Sequence, residues 1–286
     1  MVFLAKTGIL TLNSNGKTPY VEIEQQMSAL LTMNCSSRSG VSDSLGLRMK
    51  TIPPLAVLIA LATLGPGLTP LHAAEDDGVV LAIIYDTSGS MNHPVPDKSG
   101  GASPKYVIAN RALSAVARQI QTFTTNTLSG PPRKVNAALF VFQGEHGREA
   151  VKMGPFDPSA LENFARNFSN PNGNTPLGNT LTAAAQAVLA SPFTHKHVLV
   201  ITDGINTAGP SPSAVLPQLK KLAAQKGSTL AVHFVAFDVD AKVFDSVKKQ
   251  GATVVGAADE TQLNAQLQYI LQRKILLEEE EAPKQK

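Results

Sequence analysis

Asp86, Ser88 and Ser90 alternate in the stretch VVLAIIYDTSGSMN, residues 79–92, where a purely apolar run ends in a cluster of oxygen-bearing side chains. Carboxylate and hydroxyl oxygens are hard donors, and a magnesium-like cation takes six of them at about 2.1 Å. The triplet alone has a second reading, because a Ser- and Gly-rich loop after a strand also caps the helix that follows. Two later segments add to it. Asn174-Thr175-Pro176-Leu177-Gly178 sets a hydroxyl just before a helical pattern, and Thr202-Asp203-Gly204 sets a second carboxylate at the end of another apolar run.

The elements that must position these residues alternate from residue 79 onward. Residues 79–85 and 135–142 are continuous apolar runs of the kind that form strands buried on both faces. Between them Ser103 can cap a helix with Pro104 at its first position, and Ala109, Leu113, Val116, Ile120 and Phe123 form one stripe. A short strand over 150–153 pairs back through the turn QGEHGRE, Asp157-Pro158 starts a helix to about Phe168, and Leu177, Leu181, Ala184 and Val188 share a helical face. A strand over 197–202, a helix over 213–225 closed by Gly227, a strand over 229–237 and a helix over 241–249 capped by Asp240 follow. A short strand over 253–255 and a helix over 261–274, with Leu263, Leu267, Ile270 and Leu271 inward, end the pattern. This alternation predicts an α/β domain, doubly wound, with a mostly parallel sheet of about six strands between helices on both faces. In such folds ligands bind at the carboxyl ends of the strands, where strand order reverses, and the oxygen cluster falls at such an end.

Together the three segments resemble the metal-ion-dependent adhesion site of the von Willebrand factor type A family. Its first segment is Asp-x-Ser-x-Ser, its second a Thr often followed by Pro-Leu, and its third an Asp-Gly after an apolar strand; all three occur here in that order. The resemblance covers about residues 78–275, and VHFVAFDVDAKVFDSVKKQGATVVGAADETQLNAQL looks like the closing part of bacterial members. It implies that Ser88, Ser90 and Thr175 offer hydroxyl oxygens to a metal ion while Asp86 and Asp203 bind directly or through water. The implied ion is Mg2+, with Mn2+ suited to the same oxygen set. An open coordination position would accept a Glu or Asp carboxylate from a partner protein. Gly89 and Gly204 are expected to let their loops turn tightly beside the ion, and residues 91–105 to flank it.

The implied function is a metal-dependent adhesion or complex-assembly module rather than an enzyme. Two alternatives stand beside it. One is a Mg2+-dependent phosphohydrolase with Asp86 as nucleophile, but Ser88 stands where that chemistry needs a second carboxylate. The other is an accessory or maturation factor that binds through another surface. The sequence has no Gly-rich phosphate loop with its Lys and no G-x-S-x-G nucleophile turn.

The chain has 286 residues, 43% hydrophobic and 16% charged, which suits one globular domain with an appendage. Its single cysteine, Cys35, leaves no disulfide framework. Residues 49–74 have the parts of a secretory signal peptide: Lys50, an apolar centre over 52–64, and the small-residue stretch Leu71-His72-Ala73-Ala74. That centre is short for a membrane span, so no stable span is expected after cleavage, and the location is periplasmic or secreted. Residues 1–48 read as an over-long extension, 75–275 as the domain and 276–286 as a polar acidic tail. Residues 75–286 hold 20 Lys and Arg against 19 Asp and Glu, which offers no footprint for nucleic acid. His195 and His197 read as a solvated strand end, His146 as solvent-facing, and Thr87 as a loop residue bonded locally. Asp238 and Asp240 could hold a second cation, but capping by Asp240 is the commoner role.

Overall fold

The structure, a computed structural model, describes residues 76–125 and 133–277. The expected extension, signal peptide and all but the first two residues of the tail lie outside these described residues. The strands are β1 (Asp76–Tyr85), β2 (Pro94–Pro96), β3 (Ala102–Pro104), β4 (Lys134–Gln143), β5 (His146–Pro155), β6 (Phe193–Thr202), β7 (Ala231–Phe237) and β8 (Thr253–Ala257). The helices are α1 (Lys105–Thr125), α2 (Pro158–Asn167), α3 (Leu177–Leu189), α4 (Pro212–Gln225), α5 (Asp245–Lys249) and α6 (Glu260–Ile270).

Six strands form one sheet in the order β5-β4-β1-β6-β7-β8, and β2 pairs with β3 in a separate small ribbon. Every pairing in the large sheet is parallel except that of β4 with the edge strand β5. From β1 the chain adds β4 and β5 on one side, then crosses to build β6, β7 and β8 on the other. The boundary between β1 and β6 is therefore the switch point of a doubly wound sheet.

The apolar continuity of β1 follows from its central place. Residues Val79 to Tyr85 are all fully buried. Val79, Leu81, Ile83 and Tyr85 pack with Ile108 and Leu113 of α1, Leu161 of α2, and Leu263 and Leu267 of α6. The alternate residues Val80, Ala82 and Ile84 pack with Leu177 and Leu181 of α3, Leu216 of α4 and Val247 of α5. Each large side chain so buried contributes about 1.5–3 kcal/mol, enough to hold the strand ends that carry the polar cluster. No described helix is long and apolar enough to cross a membrane.

Several expected details differ. Ser103 and Pro104 lie in β3, and α1 starts at Lys105. The reason is Asp97: its carboxylate accepts from the amides of Ser99 and Gly101 and from the hydroxyls of Ser99 and Ser103, so Ser103 closes a turn instead of capping a helix. β5 is ten residues long, because Gly144 takes a positive φ of 61° and the turn tightens to Gly144 and Glu145. β6 starts four residues early, which buries His197 against His233 of β7 with ring centroids 5.6 Å apart; it is no solvated end. The segment after β7 is a 3-10 turn (Ala241–Phe244) leading into α5, with Asp240 capping it through the Lys242 amide. The last helix continues as a π-helix over Leu271–Leu276 whose Ile275 and Leu276 are buried, one residue into the expected tail.

Candidate metal centre

The switch point brings the first and third segments side by side. β1 and β6 run parallel in a register that sets Tyr85 opposite Ile201, and the Asp86 amide continues the ladder by donating to Ile201 O at 3.0 Å. Asp86 and Thr202 thus leave the sheet as neighbours, and Thr202 Oγ1 donates to Asp86 Oδ2 at 2.5 Å. The other Asp86 oxygen accepts the Ser88 amide at 2.8 Å, which folds residues 86–90 back so that both serines face inward. Ser88 Oγ lies 3.1 Å from Ser90 Oγ, and Ser90 Oγ donates to Asp203 Oδ1 at 2.8 Å.

Backbone bonds lace the second segment to the other two. Asn172 N donates to Thr87 O at 2.8 Å and Gly89 N to Gly173 O at 3.2 Å. Thr207 N donates to Thr175 O at 3.0 Å, and Thr207 Oγ1 accepts the Thr175 amide at 2.8 Å. Thr175 itself is buried, and a Cβ placed on Gly204 would sit 3.8 Å from its Oγ1 and 3.9 Å from Ser90 Oγ. All five expected residues, Asp86, Ser88, Ser90, Thr175 and Asp203, therefore line one small polar space at the carboxyl end of the sheet. Gly204 borders that space, and an added Cβ would make only ordinary van der Waals contact there. Gly89 does not have the expected role: its φ is not positive and an added Cβ would meet only Gly173 O at 3.9 Å.

The oxygen spacing bears on what this space can hold. In an octahedron with bonds of about 2.1 Å, adjacent oxygens are about 3.0 Å apart. The Ser88–Ser90 and Ser90–Asp203 separations of 3.1 and 2.8 Å bracket that edge length. Among the described residues no three His, Cys, Asp or Glu side chains cluster, so the donor set is two carboxylates with hydroxyls, a hard set.

The surroundings of Asp86 disfavour its ionised form. Burial, and then the nearby Asp203 carboxylate, raise the Asp86 pKa from 3.8 to about 6, against the opposing hydrogen bonds from Ser88 and Thr202. Asp203 is balanced by Lys105, the first residue of α1, whose buried Nζ lies 3.0 Å from Asp203 Oδ2 and 2.9 Å from Asp238 Oδ2. Burial disfavours this ammonium, but its bonds to Asp238 and Asp203 outweigh that and raise its pKa. Asp238 is the one described non-glycine residue with positive φ, 53°, and its amide donates to Ala257 O at 2.7 Å. Its carboxylate pairs with Lys105.

The sequence assigns Lys105 no role beyond the flanking segment 91–105, assigns Thr202 none, and assigns Thr87 a local bond. Thr202 was legible in principle, since a hydroxyl at the last position of a strand beside an Asp-bearing strand points at that Asp. Lys105 gave no signal, because only the tertiary fold turns the start of α1 toward Asp203. Thr87 bonds across the sheet to Phe142, accepting from its amide at 3.1 Å, and not locally.

No protein-family model matches the sequence, and neither does any curated protein. Solved structures do match. A D319A mutant of the PilB minor pilin of Streptococcus sanguinis aligns at 15% identity over 68% of this chain and 61% of the pilin, with a TM-score of 0.51. The chain thus spans less than two thirds of that protein. The fold shared with it is a doubly wound, Rossmann-like α/β sheet. The von Willebrand domain of the type V pili tip protein Mfa5 of Porphyromonas gingivalis aligns at 13% identity over 68% of this chain and 94% of that one, TM-score 0.49. Proximal thread matrix protein 1 of the mussel byssus, solved with zinc in its adhesion-site motif, aligns at 15% over 68% and 48%, also at 0.49. At these identities the likeness concerns the fold alone.

Proposed function

We propose that this domain is a type A protein-binding module in which Asp86, Ser88, Ser90, Thr175 and Asp203 hold a divalent cation, Mg2+ or Mn2+, that coordinates an acidic side chain of a partner. The observation that carries the reading is the meeting of hydroxyl and carboxylate oxygens at the switch point, where the Ser88–Ser90 and Ser90–Asp203 separations suit an octahedral ion and Thr175 Oγ1 lies beside Gly204. When bound, such an ion supplies an electrophilic position that a partner carboxylate can fill. The chain's own residues do the rest: Asp86 holds Ser88 by its amide, and Thr202 orients Asp86.

A binding role fits better than catalysis. Both Asp86 oxygens already accept hydrogen bonds, and the residue two positions on is Ser88, so the carboxylate pair of a phosphoryl-transfer site is missing. The signal-like segment at 49–74 supports a secreted or periplasmic setting, where adhesion or envelope-complex assembly is the expected use.

Calorimetric titration of Mg2+ and Mn2+ into the purified protein, with Asp86→Ala as control, tests the reading. Saturable binding that vanishes in the variant supports it. Equal heats from both proteins, or capture of a partner by Asp86→Ala/Ser88→Ala as strong in chelator as in Mg2+, would overturn it.

A further inference from the structure

We propose that Lys105 is a built-in counter-cation that sets the charge of the centre, making cation binding weak alone and strong only with an anionic ligand; this rests on the metal-binding reading above. The lysine side chain is 6% exposed and the Asp203 side chain it touches is fully buried, so their pairing at 3.0 Å is shielded from solvent. With Oδ1 engaged by Ser90 and Oδ2 by Lys105, both oxygens of Asp203 are already in use. Its charge is largely neutralised before any ion arrives.

The charge count then changes in a specific way. Asp86 and Asp203 alone would carry two negative charges and cancel a divalent ion. The ammonium leaves about one, so the loaded centre keeps about one positive charge. Asp238 shares the ammonium at 2.9 Å but restores the balance only in part, because its side chain is 42% exposed and solvent weakens its charge. A buried centre with one uncompensated positive charge is unfavourable, and one incoming carboxylate removes it. Lys105 thus favours a carboxylate over a neutral oxygen as the sixth-site ligand. It acts through Asp203, as a positioning residue.

The test measures Mn2+ affinity of the purified protein by calorimetry, with and without acetate as the carboxylate probe, for wild type, Lys105→Gln, Lys105→Met and Lys105→Arg. Wild type should bind Mn2+ more tightly in acetate. Both neutral variants should bind Mn2+ about tenfold or more tightly without acetate, and lose most of the acetate effect, whereas Lys105→Arg should keep the wild-type pattern. Should Lys105→Gln fail to fold, Lys105→Met decides. Should both fail, Asp238→Asn decides, since leaving Lys105 to Asp203 alone should weaken Mn2+ binding; an unchanged affinity would overturn the proposal. Neutral variants that bind Mn2+ no more tightly than wild type, with the acetate effect intact, overturn the counter-cation role and leave the metal site standing. Absence of Mn2+ binding in every protein, with or without acetate, overturns both.

Discussion

Asp86 is fully buried, and its pKa of about 6 lies above its ordinary 3.8. A carboxyl that holds its proton more tightly folded than unfolded stabilises the fold fully below about pH 4. That contribution is lost as pH rises through 6, when the folded chain must accept a buried charge. The whole swing is about 3 kcal/mol at most. In chelator, urea denaturation should therefore show this part of the stability falling between pH 4 and pH 7. Asp86→Asn should abolish that fall and be the more stable protein at pH 7.5. The replacement keeps an acceptor for the Ser88 amide, and the Thr202 hydroxyl can turn to Gly204 O, 3.2 Å away. An unchanged pH profile in Asp86→Asn would show that the carboxylate is not desolvated. This residue and its four partners were legible in the sequence because oxygen-bearing types at short spacing stand out against an apolar run. The lysine that offsets them was not, since burial of a charge is decided by helix α1's approach to β6 and not by any local pattern.

Among elements, α3 is the one whose placement the centre depends on most closely, because Thr175 immediately precedes it. Its second residue, Gly178, meets the loop before α4 so closely that an added Cβ would lie 2.0 Å from Pro210 O. Its amide also donates to Asn206 Oδ1 at 3.2 Å. Gly178→Ala would gain helix propensity of about 1 kcal/mol, but the clash is with backbone and forces the loop to move. The expected result is a net loss of about 1–3 kcal/mol in denaturant unfolding together with weaker Mn2+ binding, since Thr207 in the displaced loop holds Thr175. A stabilised variant would show that the loop yields freely. Helix faces such as Leu177, Leu181, Ala184 and Val188 were readable from periodicity, and all four are buried. The start of α1 was not, because the Asp97 turn competes for Ser103 with bonds that a capping pattern does not reveal.

Across the whole molecule, the order β5-β4-β1-β6-β7-β8 follows from alternating strands and helices, which the apolar runs announced. The ion pairs that tie its far parts together were hidden. Glu260, buried at the start of α6, accepts two bonds from Arg111 of α1, both at 2.8 Å, and one from the Lys98 amide at 3.1 Å. Burial works against this carboxylate, but Arg111 outweighs it and holds its pKa below the ordinary value, so its contribution is present above about pH 4.5 and lost on acidification, opposite in sign to Asp86. Arg111→Ala leaves the Glu260 charge with only the Lys98 amide and the exposed Lys98 ammonium at 3.9 Å, and should lower stability by up to about 3 kcal/mol at pH 7, discounted for the solvent that reaches the guanidinium. Guanidinium-induced unfolding monitored by circular dichroism would measure it, and a loss under 0.5 kcal/mol, roughly that of an ordinary surface site, would refute the role.

The bond between Thr202 and Asp86 joins residues 116 positions apart, and that between Ser90 and Asp203 spans 113. A chain made from its amino end exposes the first acidic loop long before β6 exists to meet it. Until then residues 86–90 have one carboxylate and flexible hydroxyls, a poor trap for any ion. The centre therefore forms only once β6 has joined β1, a late product of folding that cannot seed the sheet.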